Sequence, residues 1–336
     1  MLKLLLLSTV LVSFAASAKM VPATSFKITQ NFIEKMVEKH DFDKDELTTI
    51  FHSVKFRITN KSSKKKRRRS KHVKKPPMSW DKYKSLFITK NRIKNGVKFW
   101  QDNLATLQRA ERIYRVPVEI IVAILGIETH YGNNKGAHST LETLAKRSFG
   151  KYRRRAFYQK ELEQFLLMTR ENSIAPLSVK GSYAGAMGFP QFIASSYRHY
   201  AVDFNKDGKI DLFSDPIDAI GSIANYFDKH QWHDDGEIAR PISLDIKHLK
   251  HAKRANFKPR RNAKHWRNKG LNIDADIDNK TKLAFIRLPQ KINVDTWLTF
   301  WNFYVITRYN HDNRYAMAVY QLSEKLKQEY DLSNNL

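Results

Sequence analysis

One carboxylic acid stands where it could transfer a proton. In VPVEIIVAILGIETHYGNNKG, residues 116–136, the run from Val118 to Ile127 is almost unbrokenly apolar, and Pro117 suits the first turn of a helix. Glu128 shares a face of that helix with Ile121, Ile124 and Leu125, seven, four and three residues back, and the chain breaks just beyond at Gly132, Asn133 and Asn134. A carboxyl group at the mouth of an apolar helix is poorly solvated, which favours its protonated form and suits a general acid near neutral pH. The same spacing also fits a helix-end glutamate that faces water.

Two further stretches carry chemistry. In SYAGAMGFPQFIASS, residues 182–196, Gly185 and Gly188 permit close backbone approach, and Gln191 lies between Phe189 and Phe192, an amide beside aromatic faces as in sugar-binding sites. A glycine-rich helix junction with core aromatics reads equally from these residues. In DFNKDGKID, residues 203–211, Asp203, Asn205, Asp207 and Asp211 occupy positions one, three, five and nine of a calcium loop with Gly208 at six. Calcium is expected there, on the Asp203 and Asp207 carboxylates, Asn205 and the Lys209 carbonyl. Position twelve is Ser214 rather than glutamate, so closure falls to Asp215 or Asp218. The alternative is a loop held by Asx turns.

These groups need a scaffold, and the chain supplies mostly helices. Residues 25–56 place Phe32, Ile33, Met36 and Val37 at helical spacing, and Asp43 with Glu46 predicts the N-terminus of a second helix ending near Val54. One long amphipathic helix is expected over 90–114 from Ile93, Val97, Trp100, Leu104 and Leu107, another over 155–171, and another after Pro216. Up to residue 171 no segment alternates strongly enough to be a strand. From His233 the runs ISLDI, LAFIRLP and TWLTFWNFYVITRY point to a small β-containing insert, and YAMAVYQLSEKLKQEY to a closing helix.

Lys3, the apolar run from Leu4 to Ala16 and the small residues at Ala16 and Ala18 read as an export signal over residues 1–18. The apolar run is too short to span a bilayer, and the chain has no cysteine, so neither disulfides nor an N-terminal lipid-bearing cysteine is expected. The expectation is a soluble periplasmic protein that is not lipid-anchored. Ten of the cations behind the net charge of +27 lie in residues 61–75 and another ten in 247–270, both without an acid. Such runs cannot pack in a core, and both are expected to be mobile and solvent-exposed.

Four motifs stand in one order: GIETHYG, SYAGAMGFPQF, the DxNxDG loop running into DPIDAIGSIANYF, and RYNHDNRYAMAVYQL. Together they resemble the lytic murein transglycosylase B family, whose members cleave peptidoglycan, over roughly residues 25–325. The resemblance implies a mainly α (α+β) fold, with a lysozyme-like helical core, an α-helical subdomain and a small β-containing insert. It divides the chain into a signal peptide (1–18), an N-terminal helical segment (19–60), a basic linker (61–78), a catalytic core with the calcium loop (79–231), the insert (232–308) and a C-terminal helix (309–336). By motif, Glu128 matches the sole catalytic acid/base, and Ser182, Gln191, Tyr226, Tyr309 and Asn310 match cleft residues, with Tyr83 a further cleft position. Phe189 and Pro190 stand where Tyr-Gly is more usual in the family, so the resemblance does not carry over the local cleft shape there.

The implied reaction explains why one acid suffices. A hydrolytic glycosidase generally flanks the scissile bond with two carboxylates. In a transglycosylase the C6 hydroxyl of N-acetylmuramic acid attacks its own anomeric carbon, so no second carboxylate has to activate water. Other acids such as Glu142, Glu161 and Glu163 are expected on solvated helix faces. Peptidoglycan glycan strands are the implied substrate, and the basic runs suit anionic envelope polymers or phospholipid headgroups. No nucleic-acid partner is expected, since the runs lack interleaved aromatics. A monomer is expected, and the rival reading is a non-catalytic polyanion- or wall-binding envelope protein.

Overall fold

The computed structural model describes residues 19–58, 78–245, 247–248, 250 and 258–334. The export signal and the first basic run lie outside the described residues. The chain divides into two compact units, residues 1–74 and 75–336.

In the first unit, helices Lys27–His40 and Lys44–Ser53 bury Phe32, Ile33 and Met36 against Leu47, Ile50 and Phe51. The Phe32 and Phe51 rings meet edge to face at 5.9 Å. Asp43 accepts the Glu46 N–H at 2.7 Å, the cap its spacing predicts. Strands Lys19–Pro22 and Lys55–Ile58 pair antiparallel beside the helices, and at four residues each they are too short for an alternating pattern to announce them.

The second unit is built around helix Val118–Thr129, of which every residue except Glu119 and Glu128 is buried. Its apolar circumference is covered by helices Lys90–Asp102, Leu104–Tyr114, Pro216–Lys229 and Asn313–Asn334. The single helix expected over 90–114 is two helices. Asn103 leaves helical geometry (φ −121°, ψ 20°), and its side-chain amide donates to the Phe99 carbonyl at 2.9 Å, competing with the backbone ladder. Trp100 stacks on Tyr330 at 4.1 Å and so fixes the C-terminal helix on this pair. Helix Arg155–Glu171 packs on Thr140–Phe149, and helix Pro216–Lys229 starts at its proline with Asp215 as cap.

Two expectations about acids are corrected here. Glu161 and Glu163 are not on a solvated face but buried on helix Arg155–Glu171. The Glu161 carboxylate accepts the N–H and the hydroxyl of Ser195 at 3.0 and 2.8 Å, which satisfies it and clamps the start of helix Ala194–Tyr200. Glu142 does keep solvent contact and pairs with Lys146 at 2.5 Å.

The insert is a four-stranded antiparallel sheet in the order Ala239–Pro241, Val294–Thr299, Lys282–Pro289, Arg261–Asn262. Leu283, Phe285 and Leu298 face a small core with Ala263, Leu271, Ile273 and Ile277. The aromatic run 296–309 changes type inside itself: its strand ends at Thr299, and residues Trp301–Tyr309 form a helix. Part of the second basic run is likewise ordered, contrary to expectation. Residues Arg261–Asn262 pair in the sheet and Ala263–Asn268 are helical, with the Arg267 guanidinium donating to Asn279 Oδ1 and to the Asp274 and Ile277 carbonyls. A cation surrounded by carbonyl acceptors folds against the insert while its charge stays at the surface.

Candidate functional site

Glu128 sits in the last turn of the central helix, which then stops within three residues because His130 and Tyr131 both take left-handed backbone angles (φ 54° and 59°). The Tyr131 hydroxyl donates to the Arg92 carbonyl at 2.9 Å. That ring is admitted by glycines on both adjoining helices: a Cβ at Gly96 would lie 2.3 Å, and one at Gly126 2.6 Å, from its oxygen. The helix end is also tied to the glycine-rich stretch, because the buried Thr129 hydroxyl donates to the Phe189 carbonyl at 3.1 Å and accepts the Gly132 N–H at 3.0 Å. The acid and the loop across from it are therefore held as one piece.

The Glu128 carboxyl is largely buried, and loss of hydration pushes its pKa up to about 7. One group restrains that rise. The Tyr315 hydroxyl, at the start of helix Asn313–Asn334, donates to Glu128 Oε1 at 2.5 Å and favours the charged form. Tyr315 was not among the residues singled out by sequence. Its signal was its place in RYNHDNRYAMAVYQL, six residues past Tyr309, on a helix whose packing against the Glu128 helix only the fold discloses.

Around this pair the structure gathers an aromatic wall. The Tyr309 ring lies parallel to Tyr315 at 6.5 Å, Tyr226 meets Tyr309 at 4.8 Å, and Phe192 touches both Tyr226 and Tyr309. Tyr309 donates its hydroxyl to the Pro190 carbonyl and Tyr226 to the Arg308 carbonyl, each at 2.6 Å, and burial raises both pKa values. Their hydroxyl protons are thus spent on the backbone.

Tyr83 stacks on Trp80 at 6.1 Å and lies under the Arg314 guanidinium at 4.8 Å. Burial raises its pKa, and the charges of Asp312, Arg314 and Glu128 all reach it, which puts it on the Glu128 side of the molecule. Asp312 and Arg314, also missed in the sequence, form an ion pair at 2.7 Å that holds the Asp312 carboxyl below its usual range despite burial. Asn310 is exposed at the end of helix Trp301–Tyr309, its carbonyl accepting the Asp312 N–H at 2.7 Å.

Ser182 and Gln191 stand at either end of one tight loop, closed by antiparallel bridges of Met187 to Gly181 and to Phe192. The Ser182 oxygen accepts the Ala184 and Ala186 N–H groups at 3.3 and 3.0 Å, which leaves its own proton to donate. Gln191 has a left-handed backbone (φ 51°), and its amide nitrogen donates to the Gly188 and Lys135 carbonyls, which leaves its oxygen as an acceptor.

The calcium expectation is overturned. Among the described residues no group of three or more His, Cys, Asp or Glu side chains is arranged to hold a metal ion. The oxygens of the loop are turned onto its own N–H groups. Asp203 accepts from Asp207 and Gly208, Asn205 from Asp207, and Asp207 from Lys209. Asp218, expected to close the site, is buried and accepts from Phe204, Asn205 and Asp211, while Asn205 donates to Asp215. Asp211 is turned to Phe213 and Ser214. This is the loop of Asx turns that the spacing equally allowed.

Comparison with known proteins places this arrangement. The family model described as "Transglycosylase SLT domain" matches residues 25–324. Membrane-bound lytic murein transglycosylase B of Escherichia coli (strain K12) is 40% identical over 299 residues, 88% of this chain and 81% of that protein. Among solved structures, the soluble lytic transglycosylase SltB1 of Pseudomonas aeruginosa aligns with TM-score 0.80 and 36% identity over 90% of this chain and 99% of its own. The E. coli lytic transglycosylase Slt35 in complex with calcium aligns with TM-score 0.78 and 39% identity over 90% and 94%. The calcium in that description belongs to that protein.

The first of these relatives also corrects the expected location. A protein of this family is named as membrane-bound, so the lack of a cysteine does not support an unanchored soluble form, and that expectation does not stand. Among the described residues no helix is long and apolar enough to cross a membrane. A family match through nearly the whole chain, a helical body with a lysozyme-like core, and a lone, largely buried acid in the last turn of the central helix agree: the chain belongs to the SLT-domain transglycosylases of the murein transglycosylase B type and is a peptidoglycan lytic transglycosylase.

Proposed function

We propose that Glu128 serves as both acid and base in cleavage of the β-1,4 bond between N-acetylmuramic acid and N-acetylglucosamine. The supporting observation is a carboxyl raised to about 7 by burial, with a tyrosine hydroxyl rather than a second carboxylate as its hydrogen-bond partner. Protonated Glu128 gives its proton to the glycosidic oxygen as the C1–O bond breaks. The resulting carboxylate takes the proton of the C6 hydroxyl as that oxygen bonds to C1 and closes the 1,6-anhydro ring. Intramolecular attack owes its speed to preorganisation, by several powers of ten. Asp312, whose charge reaches Tyr83 as that of Glu128 does, is paired with Arg314 and does not serve as a water-activating base.

The substrate sugars lie along the aromatic wall of Tyr226 and Tyr309 with Tyr83 beyond. The Ser182 hydroxyl donates, the Gln191 side-chain oxygen accepts, and exposed Asn310 does either toward acetamido and hydroxyl groups. The enzyme acts as a monomer, and its cations in 61–75 and 247–270 add attachment to anionic envelope polymers or phospholipid headgroups. Product analysis tests the chemistry. Digestion of purified sacculi by the wild type gives 1,6-anhydro ends and by Glu128→Gln gives none, with the fold retained. Reducing N-acetylmuramic acid ends, or an active Glu128→Gln, would overturn the assignment.

A further inference from the structure

Between residues 135–136, the segment 172–180 and the loop 209–213 lies a cavity of about 480 Å³ that the proposed chemistry does not use. Its wall includes Ile174, Val179 and Phe213, and three lysines, Lys135, Lys180 and Lys209, open onto it. No carboxylate of the described residues forms an ion pair with any of the three; Lys135 instead places its ammonium 4.2 Å from the centre of the Phe189 ring. One acid lines the cavity, Asp211, and its oxygens already take the N–H groups of Phe213 and Ser214 and the Ser214 hydroxyl. The cavity is therefore cationic, with an apolar side.

It is also joined to the cleft by backbone. The Lys135 carbonyl accepts from the Gln191 amide at 3.2 Å, and Lys180 lies two residues before Ser182, in the strand Lys180–Gly181 that pairs with His138–Ser139. Gly136 (φ 89°) packs so closely on this strand that a Cβ there would stand 2.2 Å from the Gly181 oxygen. Whatever occupies the cavity is thus within a few residues of the groups proposed to hold the sugar.

We propose that this cavity is a subsite for the peptide stem of peptidoglycan, with Lys135, Lys180 and Lys209 receiving stem carboxylates and Ile174, Val179 and Phe213 receiving its alanine methyls. The inference rests on the substrate reading above and adds a specificity element to it. Ammonium–carboxylate hydrogen bonds are stronger than neutral ones, and a mobile stem gives up its freedom only where both charge and apolar surface are met.

The test compares two substrates on one protein: glycan strands with intact stems, and the same strands stripped by an amidase. For the wild type, kcat/KM is higher with stems present, and the advantage shrinks as salt rises. In Lys180→Glu/Lys209→Glu, the ratio of kcat/KM on stem-bearing to stripped strands falls by roughly tenfold, chiefly through KM. Equal losses on both substrates, or no loss with stems present, would overturn the proposal. If the reversed charges prevent folding, Lys180→Gln/Lys209→Gln reads the same ratio. Failure of the Glu128 assignment shows separately, as reducing ends or an active Glu128→Gln, and does not alter this ratio.

Discussion

Replacing Tyr315 by phenylalanine removes a single hydroxyl and leaves its surroundings almost intact. The ring is 3% exposed and lies parallel to Tyr309, and phenylalanine keeps that packing. What is lost is the 2.5 Å bond from the hydroxyl to Glu128 Oε1, which favours the carboxylate and opposes the upward push of burial. A hydrogen bond to a charged group contributes about 1.5–3 kcal/mol, or roughly one to two pKa units at about 1.4 kcal/mol per unit. The sign follows directly: with its donor gone the charged form is less stable, so the Glu128 pKa rises further above 7. The acid must enter the reaction protonated, so kcat/KM falls with rising pH once the free enzyme loses that proton. The wild-type alkaline limb is expected near pH 7, and that of Tyr315→Phe at least about one unit higher. Release of anhydro-ended products, followed from about pH 5.5 to about pH 9.5, measures both limbs. A limb that stays in place or moves to lower pH would refute the reasoning, since Tyr315 would then not act on the ionisation that controls the rate.

Three further outcomes are expected. Glu128 binds its proton more tightly folded than unfolded, so its contribution to stability is complete below pH 4.5 and is lost as pH rises through about 7; the shift corresponds to about 3 kcal/mol. Glu128→Gln lacks this titration and should gain about that much relative to wild type between pH 4.5 and about pH 8.5 in urea unfolding, whereas a pH-independent difference would contradict it. Asp218→Ala leaves the Phe204, Asn205 and Asp211 N–H groups without their acceptor and should cost about 3 kcal/mol, read as a lower urea midpoint at unchanged slope. Gly136→Ala meets the Gly181 carbonyl and an unfavourable φ together; it should displace Ser182 and lower kcat by at least roughly tenfold in a folded protein, and a fully active variant would argue against the tight join.

The parts legible in the sequence are those in which one segment decides its own structure. The apolar run ending at Glu128 dictated a buried helix with one acid at its mouth, and the pair Asp43 with Glu46 and the lone Pro216 marked helix starts. Features that depend on a distant partner were not legible. Nothing near Glu161 in sequence says that Ser195 will clamp it, and nothing near Glu128 says that Tyr315, 187 residues on, will donate to it. The loop 203–218 failed for a different reason. Side-chain oxygens at alternate positions serve equally to bind a cation or to cap the turns between them, and only coordinates reveal which way they point.

A lone acid that must also act as a base has a narrow requirement: its pKa has to lie near the working pH, where neither form is scarce. Burial alone would carry Glu128 higher still and make its carboxylate scarcer. A second carboxylate beside it would push the pKa the same way by like-charge repulsion. On the proposed assignment of Glu128, restraint on both counts meets the requirement. Tyr315 supplies one hydrogen bond to the charged form, and Asp312 is locked to Arg314, so its charge comes with a neighbouring cation. Tyr309 and Tyr226 turn their hydroxyls to the Pro190 and Arg308 carbonyls, so they line the site without adding donors that would make Glu128 an ordinary solvated acid. On the proposed assignment, the aromatic wall tunes the catalyst by what it withholds as well as by what it touches.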